Sequence, residues 1–170
     1  MRHVSRIAGI ATLAVAAAFA GTGTALAHGA GGSAADLKAD GVIVVAGSSC
    51  SWTNASTSAA APAALTVDRN TINAPGGNLA CGGGIAATLN NNPAFTFDDA
   101  AGTARTDLID ITGKQSFISC RYKATNIVWN RDATTRKYVN QAFTATKTSG
   151  SFLCPGSVTT AAGDASVLFH

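Results

Sequence analysis

The sequence predicts an all-β domain: an antiparallel sandwich of immunoglobulin-like or Greek-key type, held by two disulfides and preceded by an export signal. Three observations lead there. Short β-branched runs recur about every ten residues, clusters of Gly, Pro, Asn and Asp separate them, and four cysteines lie in the exported part.

The export signal occupies residues 1–27. Arg2 and Arg6 open it, Ile7–Ala20 form an apolar stretch, and Ala25-Leu26-Ala27 is a small-residue cleavage site leaving His28 at the mature N-terminus. At 1.5 Å per residue the apolar stretch is too short for a bilayer core of roughly 30 Å, which disfavours the competing reading of an anchor helix. No paired arginine marks the twin-arginine route, and no cysteine stands at the cleavage point to take a lipid. Of 170 residues, 143 then remain, a length that suits one domain. Residues 28–40 are Gly- and Ala-rich with one large apolar side chain, Leu37, and read as a flexible leader; residues 41–170 form the domain.

Val42–Ala46, bounded by Gly41 and Gly47, reads as the first strand. Ala55–Ala64 is Ala/Ser/Thr-rich with Pro62 and reads as a loop. Strand signals follow at Leu65–Val67, Leu79–Cys81, Ile85–Leu89, Ala94–Phe97, Leu108–Thr112, Phe117–Lys123, Ile127–Trp129, Tyr138–Thr146 and Ala165–Phe169. Turn signals between them include Asn90–Pro93, Asp98–Gly102, Gly113, Asn130–Thr135 and Pro155-Gly156. Phe117–Thr146 reads as a hairpin about Asn130–Thr135, with Val139 and Phe143 facing the core and Trp129 capping it. No stretch after the signal repeats apolar residues at helical spacing, and the chain has no Glu, a common helix-surface residue.

All four cysteines, Cys50, Cys81, Cys120 and Cys154, are separated by gaps of 31, 39 and 34 residues, without the close pairs of zinc sites, and so read as disulfides. Spacing leaves all three pairings open; Cys50–Cys81 with Cys120–Cys154, each linking neighbouring stretches, is the expectation. Outside the signal, ten Lys and Arg face nine Asp, a balance that argues against a nucleic-acid footprint or a polybasic membrane anchor.

Few residue patterns suggest chemistry. An N-terminal His28 offers an amine and a ring nitrogen to copper, but the second histidine such a site needs is only the terminal His170. With no interior histidine after the signal, a Ser–His nucleophile has no base, and the cysteines are committed to disulfides. Asp98, Asp99, Asp107 and Asp110 are the only carboxylate cluster; the plain reading is turn and strand-end residues rather than a glycosidase pair or calcium loop. Cys81-Gly82-Gly83-Gly84 lacks the rest of a nucleotide-cradling motif and reads as a bulge or close backbone approach. Arg121, Lys123, Arg131, Arg136 and Lys137 gather on the hairpin; they are candidates for binding an anionic wall polymer, or else a solvated sheet edge.

Three stretches, Ala74–Ala104, Cys120–Trp129 and Phe143–Ser157, resemble small secreted proteins of Streptomyces-type actinobacteria that lack an assigned activity. The most particular piece is Ser149-Gly150-Ser151-Phe152-Leu153-Cys154-Pro155, following the C-x-Y-K-A strand at Cys120. The resemblance implies an extracellular, disulfide-bearing β-domain and no catalytic residues. The composition is also similar to that of the enediyne-carrying chromoproteins, small disulfide-stapled sandwiches, with which the chain shares no motif.

These observations lead to the expectation of a non-enzymatic, secreted envelope protein with a structural, adhesive or binding role, needing no cofactor. Its partner would be an envelope polymer or another surface protein. The alternative is a small-ligand carrier with a pocket between sheets, and a copper- or Asp-dependent polysaccharide-active enzyme ranks last. A membrane barrel has the right length, but aromatics at 6% supply no interfacial girdles.

Overall fold

The computed structural model describes residues 37–170. Twelve strands run β1 (Lys38–Val45), β2 (Ser48–Ser56), β3 (Leu65–Thr66), β4 (Asn78–Cys81), β5 (Ile85–Leu89), β6 (Ala94–Asp98), β7 (Thr103–Gln115), β8 (Ile118–Arg131), β9 (Lys137–Asn140), β10 (Phe143–Gly150), β11 (Ser157–Thr160) and β12 (Ala165–Phe169). The all-β expectation holds, but the sandwich does not. Eight strands close antiparallel into a barrel in the order β1–β2–β4–β5–β7–β8–β9–β12 and back to β1.

Two long strands cause the closure. β7 and β8 pair from Thr103–Asn130 at one end to Gln115–Ile118 at the other, so Gly113, expected in a turn, sits inside β7 opposite Cys120. Each long strand lends its outer edge to two partners: β7 to β6 and then β5, β8 to β10 and then β9. A strand continuous through the gap between two would-be sheets fuses them, and the fused sheet closes on itself.

The changeover falls at a kink. Asp107 and Asn126 drop out of the pairing, Asn126 has φ +54°, and the inward row shifts from Ala104 and Thr106 to Ile109 and Ile111 on β7. On β8 it shifts from Tyr122 and Ala124 to Ile127 and Trp129. The kink keeps the register on both sides while it exchanges the inward and outward faces of both strands, which lets the pair turn a barrel corner. The break expected between Phe117–Lys123 and Ile127–Trp129 is therefore a bend within one strand.

Three further expectations are corrected. β1 begins at Lys38, within the segment assigned to the leader; Ala39 is fully buried opposite Phe169. The rest of that leader, the signal segment and His28 lie outside the described residues. The loop expected at Ala55–Ala64 loses Ala55 and Ser56 to β2, which covers the polar Ser48–Ser56; its inward residues Cys50, Trp52 and Ala55 are buried while the residues between them mask the signal. Tyr138–Thr146 divides at Gln141-Ala142 into β9 and β10, and the division flips the faces. Tyr138 and Asn140, not Val139, point inward, while Phe143 and Ala145 do so as expected.

One end of the barrel is filled. Phe95, Phe97, Trp129, Tyr138 and Phe169 meet with ring centroids 5.2–6.4 Å apart, and Trp129 belongs to this core rather than capping it. Its Nε1 donates to Thr106 Oγ1 at 2.8 Å, so neither buried polar group is left unpaired. Asn140 is buried and satisfied: Oδ1 accepts from the backbone of Gly163 and Ala165, and Nδ2 donates to the carbonyls of Gln141 and Ala161.

Candidate functional site

The opposite end is not filled. A cavity of about 530 Å³ opens there between the end of β1 and the sheet formed by β7, β8, β10 and β11. Ile43 and Val45 line one side, and Ile109, Ile111, Tyr122 and Phe143 the other. Alternation on β8 turns Cys120, Tyr122 and Ala124 inward and sends Arg121 and Lys123 outward. Small residues keep the space open. Ala124 and Ala145 line it, and at Gly113 a side chain would press on Val45, 3.2 Å from its nearest methyl.

Polar groups in the wall are few. The Tyr122 hydroxyl donates to the Pro155 carbonyl at 3.1 Å, and burial pushes the phenol above its usual 10.0. The other polar side chains of the lining are Lys114, Gln115, Thr159, Thr160 and Asp164. Asp164 is held by its own turn, accepting from the Ala161 N–H at 3.1 Å. The arrangement suits an apolar guest oriented by a small number of polar groups.

Two disulfides frame this architecture, joining Cys50 to Cys81 and Cys120 to Cys154. The first links register partners on β2 and β4. The second ties β8, at the cavity wall, to the loop between β10 and β11. They suggest an oxidising, extracellular environment. Among the described residues no helix is long and apolar enough to cross a membrane. The barrel turns apolar residues inward and charged ones such as Arg105, Asp107, Arg121 and Lys123 outward, the reverse of a lipid-embedded barrel.

The sequence-derived candidates are dispersed. Arg121 grips Asp110 through two bonds of 2.8 and 2.7 Å, with Lys123 at 3.4 Å from the same carboxylate. Arg131, the last residue of β8, and Arg136, just before β9, both hold Asp99, at 3.0 and 2.7 Å. Lys137 pairs with Asp132 at 3.7 Å. The five cations thus form two groups, each answered by aspartate, rather than one free basic surface. The hydrogen bond from Arg136 holds the Asp99 carboxyl below its usual 3.8.

The aspartates expected in turns and strand ends take such places: Asp98 accepts from the Ala101 N–H at 2.9 Å, and Asp107 from the Ala94 N–H at 3.1 Å. Asp110 instead is a buried anchor for the Asn90–Asn91 loop, with Asn90 donating to its carboxylate at 3.0 Å. His170 meets Asp40 at 3.0 Å. No group of three or more potential metal-ligating side chains converges among the described residues. The glycines after Cys81 form the β4–β5 turn, with Gly83 close to the Ser48 hydroxyl.

The sequence pattern placed the strand signals of β1, β5, β7, β8 and β10 but not β11, and offered a pocket between sheets only as an alternative, with no residues assigned to it. The signal was present in the alternation Cys120, Tyr122, Ala124 and Phe143, Ala145, where large and small apolar residues mix; what such rows enclose depends on the closure of the sheet. The fold and site define a disulfide-stapled, closed β-barrel with an apolar cavity at one end. No protein-family model, curated protein or solved structure matches the chain.

Proposed function

We propose that the protein is a secreted carrier of a small apolar molecule, held in the cavity between β1 and the β7–β8–β10–β11 sheet. The cavity carries the reading: about 530 Å³ falls within the range of small-molecule sites, roughly 300–1,000 Å³, and its wall is dominated by Ile, Val, Ala and aromatic residues. A guest of that size, such as a medium-chain lipid or a few fused rings, gains from leaving water about 25 cal/mol per Å² of apolar surface. The polymer-binding alternative has less to rest on, because its five basic residues are engaged by aspartates. The two disulfides and the resemblance to small secreted actinobacterial proteins support an extracellular setting.

The test is to purify the protein from culture medium, extract it with organic solvent and identify the extract by mass spectrometry, then titrate the stripped protein with N-phenyl-1-naphthylamine. An apolar compound in the extract, or saturable uptake of the probe at one site, is expected. An empty extract together with no saturable uptake would refute the carrier reading.

A further inference from the structure

The end of the barrel that holds the cavity also carries the most exposed large apolar side chains. Phe117 is 84% exposed at the tip of the β7–β8 hairpin, and Phe152 and Leu153 are 91% and 51% exposed in the β10–β11 loop. The two tips are neighbours: the Ser151 N–H donates to the Ser119 carbonyl at 2.9 Å, Gly150 pairs with Cys120, and the Cys120–Cys154 bond anchors the loop from its other side. Residues flanking both tips, Gln115, Ile118 and Pro155, line the cavity.

Placing two of only seven phenylalanines in water on adjacent tips costs solubility, and such rims characterise surfaces that meet an apolar phase. Charge distribution says which phase. Lys114 stands one residue before the end of β7 at the first tip, and Lys147 donates to the Cys154 carbonyl in the loop of the second; unlike Arg121 and Lys123, neither pairs with an aspartate among the described residues. The other eight Lys and Arg of residues 37–170 are matched by eight Asp. The positive surplus therefore sits at the apolar tips, the combination that draws a protein to anionic lipid.

We infer that this end docks on an anionic lipid surface, with Phe117, Phe152 and Leu153 inserted at the headgroup level and Lys114 and Lys147 against the phosphates, so that the cavity exchanges its guest with the lipid phase. The exchange step rests on the carrier reading; the docking does not.

Docking is tested by co-sedimentation of the full mature protein with vesicles of phosphatidylglycerol and phosphatidylcholine, against phosphatidylcholine alone. Uptake of N-phenyl-1-naphthylamine is measured separately, without vesicles. Wild type should bind the anionic vesicles and be released by salt. Phe117→Ser and Phe152→Ser should each weaken partition by about tenfold, the factor expected when a phenylalanine no longer leaves water, with probe uptake unchanged. Absence of vesicle binding, equal binding to neutral vesicles, equal binding by the double variant, or a wild-type dimer that the double variant dissolves would overturn the docking. Loss of probe uptake with intact vesicle binding would instead overturn only the carrier reading and the exchange.

Discussion

The Tyr122 hydroxyl donates to the Pro155 carbonyl at 3.1 Å, joining the middle of β8 to the loop that bears Phe152 and Leu153 across one corner of the cavity. Tyr122 is 8% exposed, so its ring is wall and its hydroxyl is a latch. Tyr122→Phe keeps the wall and removes the latch. Urea unfolding should show a loss of about 1 kcal/mol, the ordinary net worth of such a bond, and amide exchange should quicken in the 151–156 loop.

Gly41 and Trp52 are register partners on β1 and β2, and the indole occupies the space a Gly41 side chain would need. Trp52 is itself packed into the core, so its ring has nowhere to retreat. Gly41→Ala should cost about 3 kcal/mol or more by overpacking, read as a fall in the urea midpoint. Gly82→Ala, with nothing near the new methyl, should change the midpoint little.

Burial pulls the Asp110 carboxyl upward, but hydrogen bonds from Arg121, Asn90 and Lys123 outweigh it and leave the group below its usual 3.8. The carboxylate is favoured by folding, so its stabilising contribution is complete above that value and fades as pH falls through the lower folded-state value. Thermal melts from pH 7 down to pH 2 should show a loss of stability beginning below about pH 4. Asp110→Asn should flatten that part of the profile and, by breaking the charged grip of Arg121, lower stability at pH 7 by about 1–3 kcal/mol.

The strands were legible where apolar residues alternate with polar ones or cluster in β-branched runs, as in Ile85–Leu89 and Ala165–Phe169. β2 was hidden because its inward residues, Cys50, Trp52 and Ala55, are spaced unevenly within a Ser- and Thr-rich stretch. The barrel was hidden for a different reason. Closure depends on β7 and β8 running through Gly113, which reads as a turn signal, and through the kink at Asp107 and Asn126, residue types that favour turns. The site followed the same rule: its lining residues are ordinary core residues in sequence, and only the unclosed end of the packing makes them a cavity.

The Cys120–Cys154 bond closes a loop of 34 residues, worth about 3.8 kcal/mol in the chain-entropy view. Cys120 lines the cavity and Cys154 is buried in the loop beside it. Replacing both by serine should lower the urea midpoint accordingly and weaken probe uptake by loosening the wall. The Cys50→Ser/Cys81→Ser pair should lower stability by a similar amount, because its loop of 31 residues is nearly as long, while leaving uptake in the folded protein intact.

The cavity itself is tested most directly by filling it. Ala145 is 6% exposed on the cavity wall, and Ala145→Phe directs a ring into the space that a guest would take. Titration of wild type and variant with N-phenyl-1-naphthylamine, alongside their melting temperatures, separates occupancy from folding. Saturable one-site uptake by wild type, lost in an Ala145→Phe protein that melts no lower, is the expected result. Uptake by a folded Ala145→Phe protein equal to that of wild type would contradict it.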